Sequence, residues 1–60
     1  ELQQYIGQTG EAATILRPAG KIVIDGIQFD AVALHGYIEQ GATVRVVKYE
    51  NAQLYVVEVK

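Results

Sequence analysis

The 60-residue chain contains no cysteine, serine, methionine or tryptophan, and it has a single proline and a single histidine. Without cysteine there is no disulfide, no thiolate metal site and no thiol nucleophile; this fits a reducing compartment but does not require one. Without serine as well, the commonest hydrolytic nucleophiles are missing, and the lone His35 has no evident relay partner or second ligand. His35, beside Gly36, therefore reads as a loop residue, and the chain by itself is expected not to be an enzyme. The carboxylates Glu1, Glu11, Asp25, Asp30, Glu39, Glu50 and Glu58 are dispersed without metal-ligand spacing. Gly7-Gln8-Thr9-Gly10 has no following lysine and precedes a strand, so it is no phosphate cradle. No cofactor is implied. Long apolar runs are also missing, since nothing approaches the roughly 20 residues of a membrane span and no leader pattern opens the chain. Basic charge is sparse: Arg17, Lys21, Arg45, Lys48 and Lys60 lie scattered among seven carboxylates, for a net charge of −2. A phosphate backbone would find no basic stripe to follow, so no nucleic-acid partner is expected.

What is present is β-forming. Lys21–Ile24 and Ile27–Asp30 flank Asp25-Gly26, a pair suited to a type I′ turn because both central residues must take positive φ. The pairing that results sets Ile24 opposite Ile27 and Ile22 opposite Phe29 on one face, continued by Ala31. Val23 meets Gln28 and Lys21 meets Asp30 on the other, the last an exposed cross-strand ion pair. Ile22, Ile24, Ile27, Phe29, Val44 and Val46 are expected in the core. Upstream, residues 11–16 form a first strand, stopped by Arg17-Pro18-Ala19-Gly20. Downstream, residues 42–49 and 54–59 are rich in β-branched and aromatic residues and form a second hairpin. With Asn51-Ala52 as its tip, Arg45 would face Glu58 and Val46 would face Val57; a three-residue loop would instead set Tyr49 beside Tyr55. The sequence does not choose between them. Five strands in so short a chain leave no covering helix, so the apolar inner face is expected to close on itself as a small barrel. Gly7, Gly10, Gly36 and Gly41 fall where strands must bend or turn.

Gly7-Gln8-Thr9-Gly10-Glu11-Ala12-Ala13-Thr14-Ile15-Leu16-Arg17-Pro18-Ala19-Gly20-Lys21, with Ile24-Asp25-Gly26, Phe29-Asp30-Ala31-Val32, Tyr37-Ile38-Glu39-Gln40-Gly41 and Val44-Arg45-Val46-Val47, closely resembles the C-terminal soluble domain of NfeD-like proteins. The resemblance spans nearly the whole chain. It implies an all-β fold, a five-stranded OB-type barrel over residues 1–60, without the usual helix between strands three and four because residues 35–40 are too few for one. It further implies the end of a longer membrane protein, anchored by helices outside this chain, with the cytoplasmic side the favoured placement. A stomatin- or flotillin-like partner is implied too, in membrane-protein quality control or membrane organisation, and in long members a serine-protease domain precedes this one. The start at Glu1 fits such a piece.

The expected function is thus a non-catalytic protein-interaction module, with self-association allowed. The competing reading is a nucleic-acid-binding OB module that stacks bases on Tyr37, Tyr49, Tyr55 and Phe29. A biotinyl- or lipoyl-type carrier ranks last, because no lysine sits at the clear hairpin tip. The terminal hairpin is too apolar on both faces for one interior to absorb, Val44, Val46, Val57 and Val59 opposing Val47, Tyr49, Leu54 and Val56. The face bearing Val47, Tyr49, Leu54 and Val56 is expected to meet the partner.

Overall fold

The computed structural model describes residues 2–60. After a single turn of 3-10 helix, Leu2–Tyr5, come five strands: β1 (Thr9–Ala12), β2 (Ala19–Ile24), β3 (Ile27–Ala33), β4 (Thr43–Glu50) and β5 (Gln53–Glu58). They close into a barrel in the order β1-β2-β3-β5-β4, with β1 pairing back onto β4. All pairs are antiparallel except β3 with β5. This is the OB-type barrel, and the β3–β4 connection carries no helix.

The first hairpin forms as its turn chemistry dictates. Asp25 (φ 52°) and Gly26 (φ 79°) make the left-handed tip, and Ile24 faces Ile27, Ile22 faces Phe29, and Lys21 faces Asp30. The Lys21 ammonium and the Asp30 carboxylate are paired across the strands in solvent. β1 begins earlier and ends sooner than the sequence suggests. Past Ala12 the amides of Ala13 and Thr14 both donate to the Lys21 carbonyl, at 2.8 and 3.3 Å, and the Thr14 hydroxyl accepts from the Lys21 amide. The strand bends there, and Leu16 makes a separate antiparallel bridge to Ile38 that closes one end of the barrel.

The core is built from Leu16, Ile22, Ile24, Val44, Val46, Leu54 and Val56, all essentially without exposure, with Ala12, Ala31, Ala33 and Ile38 between them. At roughly 1.5–3 kcal/mol for each large side chain taken out of water, this interior is the main force holding the chain together. Two residues expected in it are placed differently. Ile27 is 52% exposed, and Phe29 is half-buried with its ring against Tyr5, the centroids 4.8 Å apart. Both point to the inner face, but the hairpin tip runs past the barrel. β1 pairs with β2 only at Ile22 and Val23, and β5 pairs with β3 only from Ala31 onward. Without a third strand at the level of Ile27, nothing can cover it.

Gly10 shows how tightly the closing strand is held. A Cβ at Gly10 would lie 2.3 Å from the Val23 carbonyl oxygen and 2.8 Å from Ile24 Cγ1, so only glycine lets β1 pass beside β2 at that point.

Candidate functional site

The second hairpin decides which apolar residues face outward. Its tip is Asn51-Ala52, both left-handed at φ 54° and 63°, with Glu50 facing Gln53, Tyr49 facing Leu54 and Lys48 facing Tyr55. Beyond Lys48 the register slips by one residue, so Val46 faces Val56, Arg45 faces Val57 and Val44 faces Glu58. Val47 is the extra residue of this β-bulge, exposed and outside the ladder. The two-residue tip is therefore right, but the pairings expected beyond it, Arg45 with Glu58 and Val46 with Val57, are each displaced by one.

That slip regroups the four residues expected to meet a partner. Leu54 and Val56 share the inner face with Val44 and Val46 and have no exposed surface at all. Tyr49 is half-buried against the core, and only Val47 stands in solvent. Tyr49, Leu54 and Val56 do share one face, but it is the inner one, and the bulge takes Val47 off it, so the four form no exposed surface.

The outward apolar residues lie elsewhere. On β5 they are Tyr55 and Val57, both half-buried, and on the adjoining β3 Val32, directly across from Tyr55, followed by Leu34, which is 44% exposed just past the strand end. Tyr37, 51% exposed, belongs to the loop beside them. The outer residues of β1 and the start of β4 are instead Thr9, Glu11, Thr43 and Arg45. The outer face of the β3–β5 seam is thus more apolar than that of β1 and the start of β4, although Ile15, just before the Leu16 bridge, is also exposed. Lys48 lies over the Tyr55 ring at 4.8 Å and pairs with Glu50 at 3.1 Å, covering one side of it. A second apolar area, with Ile6, Ile27 and Val47 exposed, lies towards the 3-10 turn and the hairpin tip.

At the far end of the seam a groove of about 370 Å3 opens between β5 and the β3–β4 loop, lined by His35, Tyr37, Ile38, Val57, Glu58 and Lys60. Its polar groups do not converge on one point, and among the described residues no three of His, Cys, Asp and Glu come together as metal ligands. His35 lies in the groove wall. Of the four rings offered to a base, Phe29 packs on Tyr5, Tyr49 packs on the core, Tyr55 lies under Lys48, and Tyr37 alone stands open. No helix of the described residues is long and apolar enough to cross a membrane.

Residues 2–58 match the family model described as NfeD-like C-terminal, partner-binding domain. Membrane protein NfeD1b of Bacillus subtilis (strain 168) is 33% identical over 54 residues, which are 90% of this chain and 12% of that protein. The chain thus spans about an eighth of the length of this relative. Among solved structures, the C-terminal domain of stomatin operon partner protein 1510-C from Pyrococcus horikoshii superimposes with a TM-score of 0.88 at 34% identity, covering 95% of this chain and 91% of that one.

Proposed function

The chain belongs to the family of NfeD-like C-terminal, partner-binding domains, and from that premise we propose that it is the non-catalytic docking module of a longer membrane protein, holding a stomatin-type partner through the β3–β5 seam. The carrying observation is the run of outward apolar side chains there, Val32, Leu34, Tyr55 and Val57, in contrast to the polar outward residues of β1 and the start of β4. A small closed barrel gains nothing from exposing Leu34 and Tyr37, and a compact apolar area rimmed by charge is the ordinary signature of a protein contact. The stomatin-type partner is suggested by the name of the related archaeal domain, and a role in membrane-protein quality control or membrane organisation goes with it. Nothing in the site suggests catalysis: the chain has neither serine nor cysteine, and its one histidine lies in a groove wall.

The test is binding of this chain to the purified extramembrane domain of a stomatin-type protein. Leu34→Asp, at an exposed position, is expected to weaken that binding by at least about tenfold while leaving the thermal midpoint in place, as at an interface hot spot. In parallel, a labelled single-stranded oligonucleotide at about 50 mM salt, where phosphate contacts are strongest, is expected not to bind. Micromolar oligonucleotide affinity lost in Tyr37→Ala would overturn the reading in favour of a nucleic-acid module.

A further inference from the structure

The groove at the end of the seam has an unusual floor. Within the β4–β5 ladder the Val59 amide donates to the Thr43 carbonyl at 2.8 Å, so Val44 and Glu58 form a non-hydrogen-bonded pair. The amide and carbonyl of Glu58 therefore point away from β4, towards the side that β3 occupies further back. There the Val56 carbonyl still accepts from the Leu34 amide at 2.9 Å. One step on, β3 has gone: the chain turns off through Ala33–Gly36, closed by a bond from the Gly36 amide to the Ala33 carbonyl, and Glu58 finds no backbone partner among the described residues. The lane beside Glu58 is the groove.

The groove lining itself holds one cation, Lys60, and one carboxylate, Glu58, and further cations stand close to it. Lys21 and Lys48 are paired with carboxylates, but Arg17, Arg45 and Lys60 make no ion pair among the described residues. Lys60 lines the groove, Arg45 faces Val57 across the ladder, and Arg17 follows Leu16, which bridges to Ile38; Glu39, next to Ile38, is the carboxylate of that loop, so three unpaired cations stand against Glu39 and Glu58.

We infer that the groove takes an extended, apolar, carboxylate-bearing segment of the partner, which adds as a strand beside Glu58 and continues the sheet where β3 leaves it. This rests on the partner-binding reading and specifies how the partner is held. The backbone groups of Glu58 supply the ladder bonds, Tyr37 and Val57 receive the alternate side chains, and the three unpaired cations select acidic flanks.

Proline and alanine at the same position separate backbone from side chain. Glu58→Pro removes an amide that bonds nothing within the chain and leaves the β4 ladder whole, whereas Glu58→Ala keeps it. With the stomatin-type domain as probe, Glu58→Pro is expected to weaken binding about three- to tenfold, the worth of one backbone bond, and Glu58→Ala to leave it unchanged or tighter. Lys60→Glu weakens it as well. In the unsubstituted chain the Glu58 amide is expected to exchange rapidly when free and to become protected in the complex, a measurement that holds even if the proline variant fails to fold. If Leu34→Asp weakens binding while Glu58→Pro does not and the Glu58 amide stays unprotected, strand addition is wrong and the docking module stands. Absence of any binding to the unsubstituted chain removes the docking reading itself. Protection that grows with the concentration of this chain alone, with sedimentation showing dimers, would make the occupant a second copy and overturn the inference.

Discussion

Replacing Gly10 by alanine adds one methyl group and should nevertheless be among the most damaging small changes in the molecule. The new Cβ would sit 2.3 Å from the Val23 carbonyl oxygen, more than 1 Å inside ordinary contact, and 2.8 Å from Ile24 Cγ1. Ile24 could yield by changing rotamer, but the Val23 carbonyl is part of the β2 backbone. Relief therefore requires β1 to move away from β2. Overpacking of this kind costs about 1–3 kcal/mol. The neighbouring Glu11–Val23 and Ala12–Ile22 pairs are stretched with it, and each weakened ladder bond adds roughly 0.5–1.5 kcal/mol. The smaller entropy of an unfolded alanine returns about 0.4–1 kcal/mol. The expected net loss is about 2–4 kcal/mol, against the roughly 3–9 kcal/mol that a domain of this length has in total. Urea titration followed by far-ultraviolet circular dichroism reads this directly: the midpoint should fall by about a fifth or more with an unchanged slope. A Gly10→Ala variant within about 0.5 kcal/mol of the parent would show that β1 and β2 are not in such close approach.

Truncation at Phe29 should cost about 1–3 kcal/mol, below the ~2–5 kcal/mol expected for Leu54→Ala, because the ring is half-buried on Tyr5 whereas Leu54 is sealed in the core; chemical denaturation of the pair gives the ranking. Gly26→Val places a β-branched residue at φ 79° and should lower the thermal midpoint by more than any exposed substitution elsewhere in that hairpin. Ala52→Gly should act in the opposite direction and stabilise by about 0.5–1 kcal/mol, since Ala52 is held at φ 63°, where a Cβ is strained. Val47→Asp should leave stability within about 0.5 kcal/mol, as expected for an exposed bulge residue, whereas Val46→Asp should abolish the cooperative transition.

Local pattern carried the first hairpin and the closure of the sheet. Asp25-Gly26 admits few backbone geometries, and once the tip is known the alternation of Ile22, Ile24 and Phe29 with Lys21, Val23 and Gln28 settles every pairing around it. What pairing cannot give is depth: Ile27 has the correct face but lies where no further strand reaches, which depends on how far β1 and β5 extend. The β4–β5 hairpin was less legible, because Val44, Val46, Val47, Leu54, Val56 and Val57 make both phases equally apolar. The bulge at Val47 is imposed from outside, by β1 gripping Arg45 and Val44 on one side and β3 gripping Leu54 to Val56 on the other. No glycine marks it. The outward stripe of Val32, Leu34, Tyr55 and Val57 was missed for the same reason, although its β3 half followed from the first hairpin's own alternation continued past Ala31.

The order in which the barrel is closed bears on how it is made. β1 to β3 form a meander with a free edge at each end, and β4 and β5 fill the gap between those edges, β4 against β1 and β5 against β3. The two seams are separated from the meander by a single connection, residues 34–42, so neither can mature before the C-terminal hairpin has been synthesised and brought round. A nascent chain stopped before Thr43 carries two naked strand edges and a half-built interior. Closing the barrel thus depends on non-local pairing across that connection, which is expected to make folding slow for so small a molecule. A mutation that slackens the 34–42 connection should delay folding without altering the finished core, whereas one that spoils the β4–β5 tip should leave the gap open to the wrong hairpin, that of a neighbouring chain.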